Sequence, residues 1–150
     1  DGKKFYSKER FILHQHDQDH KKHMPMHIDF RCSVPGQKLI YSFAIPKPDK
    51  FPKRIGDKCL AIRGNDHGRY FLLIKDLVIP EGVHGQGHIH ELQSGDMYIE
   101  GFSKDYMTFI INGNPGDLLN GRYLLLLLKN RKLASDKYKS PQSQYILMKI

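Results

Sequence analysis

Nowhere in these 150 residues do apolar side chains recur at a helical period. Short apolar or alternating runs are instead separated by loops carrying glycine and proline, the pattern of a sandwich or barrel. The runs fall at residues 11–16, 27–34, 38–45, 59–62, 70–74, 88–92, 97–101, 106–111, 123–128 and 144–148. Pro35-Gly36 and Ser94-Gly95-Asp96 read as turns, so the strands that flank each form a hairpin. The run 70–74 is apolar throughout and suits a buried strand. The expected fold is a single-domain antiparallel β-barrel with little helix over residues 11–150. Residues 1–10 are charged and without clear period, which suits a flexible N-terminal arm or a short helical turn.

A chain of this length buries roughly two-thirds of the surface it exposes when unfolded, so it needs no disulfide staples. Cys32 and Cys59 form no CxxC pair and read as free thiols of a reducing compartment, so a cytoplasmic location is expected. No apolar run approaches the roughly 20 residues of a membrane span. Lysine and arginine number 24 against 16 acids, a formal charge of +8. That balance favours a polyanionic partner, and nucleic acid fits it.

Within the second run, His27-Ile28-Asp29-Phe30-Arg31 alternates strictly. In a strand Ile28 and Phe30 enter a core, and His27, Asp29 and Arg31 share the opposite face. An imidazole and a carboxylate two residues apart can bind one metal ion, and the arginine can hold a phosphate through its planar fork. Five of the nine histidines lie between His14 and His27. That clustering suits either a specific metal site or a solvated polar loop. Asp66-His67 sits in a glycine-flanked loop, where the histidine could donate to a phosphate oxygen or be an ordinary exposed side chain. A second group, His84, His88 and His90, follows Gly82 and matches the first half of the cupin metal motif, although the glutamate that motif needs is missing.

Taken in order, several short motifs carry a resemblance. His27-Ile28-Asp29-Phe30-Arg31 is followed by Phe43-Ala44-Ile45-Pro46-Lys47, by Leu60-Ala61-Ile62-Arg63 and by Asp66-His67. Val78-Ile79-Pro80-Glu81-Gly82, Gly85-Gln86-Gly87 and Asn120-Gly121-Arg122-Tyr123 come after. This succession resembles the 3′-phosphoesterase module of bacterial DNA ligase D and its free-standing archaeal relatives, over residues 11–149. The resemblance implies a compact barrel with a polar, crescent-shaped groove. It implies a divalent metal, typically Mn2+, and removal of a 3′-terminal ribonucleoside from DNA to leave a 3′-phosphate. In some members that phosphate is then removed to give a 3′-hydroxyl. His27 and Asp29 match metal ligands, with His16 as the upstream ligand. Arg31 and His67 match residues that grip the scissile phosphate, Lys47 a basic residue beside it, and Tyr70 the tyrosine that follows the Asp-His pair. The implied substrate is a DNA primer-template ending in a 3′-ribonucleotide or 3′-phosphate. A DNA ligase or repair polymerase is the candidate partner protein, and the expected state is a monomer with no membrane association.

The chain also departs from the family pattern. His16 stands eleven residues before His27, a longer spacing than the family's, so His20 and His23 compete for the upstream role. Cys59 takes the place of an arginine, leaving Arg54 or Arg63 to substitute. Asn65 replaces a glutamate, and the family's N-terminal acidic segment is absent from residues 1–10. The resemblance therefore extends less fully to the phosphomonoesterase step than to the first. Two other readings remain: a cupin-like metalloenzyme using His84, His88 and His90 on a small substrate, and a noncatalytic nucleic-acid-binding barrel. The second lacks the interleaved aromatics of a stacking platform.

Overall fold

The computed structural model of this chain describes residues 5–18, 26–83, 86–129 and 143–150. Nine strands follow one another: β1 (Ser7–Asp17), β2 (Met26–Cys32), β3 (Tyr41–Ile45), β4 (Lys58–Arg63), β5 (Asp76–Ile79), β6 (Gly87–Phe102), β7 (Tyr106–Ile111), β8 (Gly121–Leu127) and β9 (Gln144–Lys149). All named pairings are antiparallel, in the order β1-β2-β3-β4-β9-β8-β7-β6, and β6 pairs back onto β1 to close an eight-stranded barrel. Closure removes the free strand edges that an open sheet would present. β5 lies outside the closed ring, paired only with β6. Two short 3₁₀ turns, Pro48–Lys50 and Arg69–Leu73, are the helical elements of the described residues. No helix there is long and apolar enough to cross a membrane.

The core follows from the alternation in each strand. Phe11 and Leu13 of β1, Ile28 and Phe30 of β2, and Phe43 and Ile45 of β3 meet Met97, Ile99, Phe109 and Tyr123 from the far wall. Phe30 stacks on Phe109 at 5.5 Å, and Phe109 stacks on Tyr123 at 5.6 Å. Both cysteines belong to this core. Burial pushes the Cys59 thiol up to about 12 and the Cys32 thiol higher still. Neither should react with iodoacetamide at pH 8 in the native protein, and both should react in denaturant; mass spectrometry of the alkylated chain gives the count.

Three expectations are corrected. First, the strand containing residues 11–16 begins at Ser7, so residues 7–10 of the expected arm are barrel wall. Lys8 and Arg10 reach Asp96 on β6, and Ser33 donates from its hydroxyl to Glu9. Second, residues 88–101 form no hairpin. β1 runs beside β6 along nearly its whole length, with Phe11 opposite Gly95 and Arg10 opposite Asp96. That neighbour supplies the pairing that keeps Ser94-Gly95-Asp96 extended. A bulge between Leu13 and His14 shifts the register, placing Ile89 opposite His16. Third, residues 70–74 are not a buried strand. They lie largely in the 3₁₀ turn Arg69–Leu73, with Phe71 donating its amide to the Gly68 carbonyl, and Tyr70 and Leu73 are exposed.

Candidate metal centre

β2 is buried on both faces. Ile28 and Phe30 face the core, while His27, Asp29 and Arg31 face away from it, each only 4% exposed. Part of the cover over this polar face comes from the turn Arg69–Leu73, which packs against β1 and β2. Register completes the constellation: His16 of β1 lies opposite His27, and His14 lies opposite Asp29. Paired residues of antiparallel strands share a face. Four polar side chains from two strands therefore meet beside Arg31, and His16, His27 and Asp29 line one groove with it.

Asp29 is the hub. Its Oδ2 lies 3.2 Å from His16 Nδ1 and 3.0 Å from an Arg31 terminal nitrogen, and its Oδ1 lies 3.1 Å from His27 Nε2. Burial by itself raises a carboxyl pKa. Here the Arg31 guanidinium and the two imidazoles outweigh it and hold Asp29 ionised, well below the usual carboxylate range. One atom each from His16, His27 and Asp29 falls within 4.8 Å of the others. Metal–ligand bonds of about 2.1 Å subtend ligand–ligand edges of about 3.0–3.4 Å, the range of both His–Asp contacts. His16 Nε2 lies 3.2 Å from the Gln86 carbonyl. In the tautomer that donates there, the Nδ1 lone pair points toward Asp29, an arrangement found in metal-bound histidines. The donor set thus fits a divalent transition metal, and two imidazoles with one carboxylate suit manganese, iron or zinc better than magnesium.

Arg31 is held from three sides. One terminal nitrogen donates to Asp29, the other donates to His14 Nδ1 at 2.6 Å, and the Phe71 ring lies 4.9 Å from the guanidinium carbon. Because an arginine can only donate, His14 must accept through Nδ1. Its proton then sits on Nε2, which donates to the Ile74 carbonyl at 2.8 Å. Burial, as the largest effect, lowers the His14 pKa and favours that neutral form. Arg31 Nε is buried without a hydrogen-bond partner among the described residues. A buried donor left unmade is costly, and no acceptor among the described residues meets this one.

The groove over this floor has a volume of about 920 Å³. Asn65, His67, Tyr70 and Phe71 line one side, and Ile79, Gly82, Val83 and Gln86 line another. His67 exchanges both backbone hydrogen bonds with Ile40, at 2.8 and 3.0 Å, which pins its loop beside β3. Its ring packs against Phe71 in a tilted arrangement, with centroids 4.4 Å apart. Phe71 therefore touches both Arg31 and His67, a role that an apolar run did not advertise. Lys47 is exposed at the start of the turn Pro48–Lys50 and is not among the groove-lining residues. Arg63 is taken up by Asp66 and the Tyr41 ring, and Arg54 is exposed; neither lines the groove. His88 and His90 alternate with Ile89, which lines the groove, so they face the other side of β6. His20, His23 and His84 lie outside the described residues.

The groove wall depends on one glycine. Gly87 has φ +121°, and a Cβ there would lie 2.2 Å from the Asp17 carbonyl oxygen. Gly87→Ala should cost at least about 1–3 kcal/mol of backbone strain and displace Gln86 from His16. A lowered Tm together with weakened metal affinity is the expected result, read by thermal denaturation and calorimetry.

No protein-family model matches this chain, and no curated protein matches it by sequence.

Proposed function

We propose that this protein is a divalent-metal-dependent DNA 3′-end phosphoesterase, with Mn2+ as the metal and a primer-template ending in a 3′-ribonucleotide as the substrate. The observation that carries the reading is the convergence of His16, His27 and Asp29 beside a buried arginine whose Nε has no partner among the described residues, at the floor of an open groove. The order of motifs along the chain, which resembles the 3′-phosphoesterase module, supports the choice of substrate.

His16, His27 and Asp29 would hold the ion, which when bound supplies Lewis-acid polarisation of a phosphoryl oxygen. Arg31 offers the remaining N–H groups of its guanidinium to a non-bridging oxygen while Asp29 and His14 fix the plane of the fork. His67 approaches from the loop beside β3, where its imidazole can donate to a second oxygen or pass a proton to the leaving ribose. Phe71 excludes water from one flank of Arg31, which strengthens the guanidinium's attraction for the phosphate. Tyr70 stands exposed at the rim, where its hydroxyl can reach the terminal nucleotide. These residues act by positioning and charge stabilisation, the main requirements of phosphoryl transfer.

Lys47, Lys50, Lys53 and Arg54, between β3 and β4, and Lys58, the first residue of β4, are exposed basic side chains. We assign them to the DNA backbone rather than to the reacting phosphate. Duplex affinity should fall linearly on a log–log salt plot. Lys50→Ala and Lys53→Ala should each reduce that slope by about 1. Fluorescence anisotropy across a salt series provides the reading, and a flat response would indicate a small-molecule substrate. The activity itself is tested with a labelled primer-template ending in one ribonucleotide, incubated with Mn2+, where the expected product is a shortened strand with a 3′-phosphate.

A further inference from the structure

The groups that would meet the scissile phosphate lie deep. His16, His27, Asp29 and Arg31 are each at most 5% exposed, and the Phe71 ring lies beside the Arg31 guanidinium. His67, Tyr70, Ile79 and Val83 line the groove above them. A terminal nucleotide that keeps its base pair brings the template strand with it. Sites of about 300–1,000 Å³ enclose one small ligand, and this groove of about 920 Å³ matches one nucleotide rather than a paired duplex end. At the rim, Tyr70 is 65% exposed, yet its ring is braced. The ring packs against Phe71 with centroids 4.9 Å apart. It also lies over Gly68, where a Cβ would come within 2.7 Å of the ring carbon Cε1. Only a hydrogen at position 68 leaves the ring that place. The Phe71 amide donates to the Gly68 carbonyl, and the His67 backbone pairs with Ile40, so this stretch is tied to the barrel. A ring braced on one side and open on the other is a stacking platform, and stacking tolerates any base because every base has a π-face.

We infer that the groove takes a 3′-terminal nucleotide that has left its template, with its base stacked on the Tyr70 ring and its phosphate at Arg31. The inference rests on the 3′-end reading of the site and narrows the substrate from a primer-template in general to its unpaired or mispaired end. Pulling a base out of the stack costs least where it is mismatched. The pairing state of the end, and not its sequence, therefore sets the preference. Breaking one base-pair step costs roughly a factor of ten. The exposed lysines between β3 and β4 are left to the duplex that stays paired. Gly68, which has no side chain to touch the substrate, becomes a determinant of specificity through the ring that rests on it.

Binding to the metal-free full chain is read by fluorescence anisotropy at one salt concentration. The labelled primer-templates differ only at the 3′ end, which carries a paired ribonucleotide, a mispaired one or an abasic one. The mispaired end should bind about tenfold tighter than the paired end, whichever base it carries. Tyr70→Ala and Gly68→Ala should each weaken binding of the mispaired end about tenfold and leave the abasic end, which has no base to stack, unchanged. Gly68 has an ordinary φ of −68°, so alanine there moves the ring and not the backbone. Tyr70→Phe keeps the ring and should bind the mispaired end as the unmodified protein does. With Mn2+ added, the unmodified protein should cleave the mispaired end about tenfold faster than the paired one. Equal affinity for paired and mispaired ends, or an equal loss on the abasic end in the Tyr70→Ala and Gly68→Ala variants, overturns the inference and leaves the phosphoesterase reading intact. Cleavage of neither end overturns that reading instead, and the binding measurements still decide whether Tyr70 receives an unpaired base.

Discussion

Asp29→Asn should abolish metal binding at the central site and with it 3′-end cleavage, and should also destabilise the fold. Asparagine keeps the shape of the side chain but loses the charge that His16, His27 and Arg31 share. Arg31 would then be a buried cation without its counter-ion, a loss that typically costs about 3–5 kcal/mol. The pH dependence has a definite sign. The folded pKa of Asp29 is depressed, so its contribution is complete above the unfolded carboxyl value of about 3.9. It fades as pH falls below that value toward the folded one. The unmodified protein should therefore lose stability in acid more steeply than Asp29→Asn. Denaturant melts at pH 7 and at pH 3 measure both effects. Equal stabilities of the two proteins at pH 7 would remove Asp29 from its place as hub.

Arg31→Ala should lower the rate of 3′-ribonucleotide cleavage by ~10²–10³, leaving His16, His27 and Asp29 able to bind Mn2+. Arg31→Lys should recover little. An ammonium restores one charge but cannot donate to Asp29 and His14 and present a further N–H to a phosphate in one plane. His67→Ala should show a loss of similar size with metal content unchanged. Single-turnover assays run beside metal analysis separate these outcomes from a loss of metal. Full activity in either alanine variant would place that residue outside the reaction.

Much of this site was legible in the strand alternation. His27, Asp29 and Arg31 share a face because strand geometry requires it, and Ile28 and Phe30 do enter the core. The structure brings His16, the expected upstream residue, to Asp29. The burial of that face was not legible, because part of its cover comes from the turn Arg69–Leu73, whose apolar side chains imitate a buried strand. The role of His14 was hidden for a related reason: it depends on the Ile74 carbonyl, a backbone group with no sequence signature. Ser94-Gly95-Asp96 has turn chemistry and is nevertheless extended, because pairing with β1 outweighs local preference. The reach of β1 back to Ser7 likewise depends on Asp96 and Ser33, far away in sequence. The barrel was therefore legible from the number and punctuation of its strands, while the lengths of β1 and β6 were set by tertiary partners.

The central claim is that one divalent ion, bound by His16, His27 and Asp29, drives cleavage at a DNA 3′ end. The most direct measurement titrates Mn2+ into metal-free protein while following both ion binding and the release of a 3′-terminal ribonucleoside from a labelled primer-template. Cleavage should be absent without metal, rise with occupancy of a single site, and disappear in His27→Ala together with that site. An ion that binds at this centre while the primer end stays intact across Mn2+, Zn2+ and Co2+ would contradict the account.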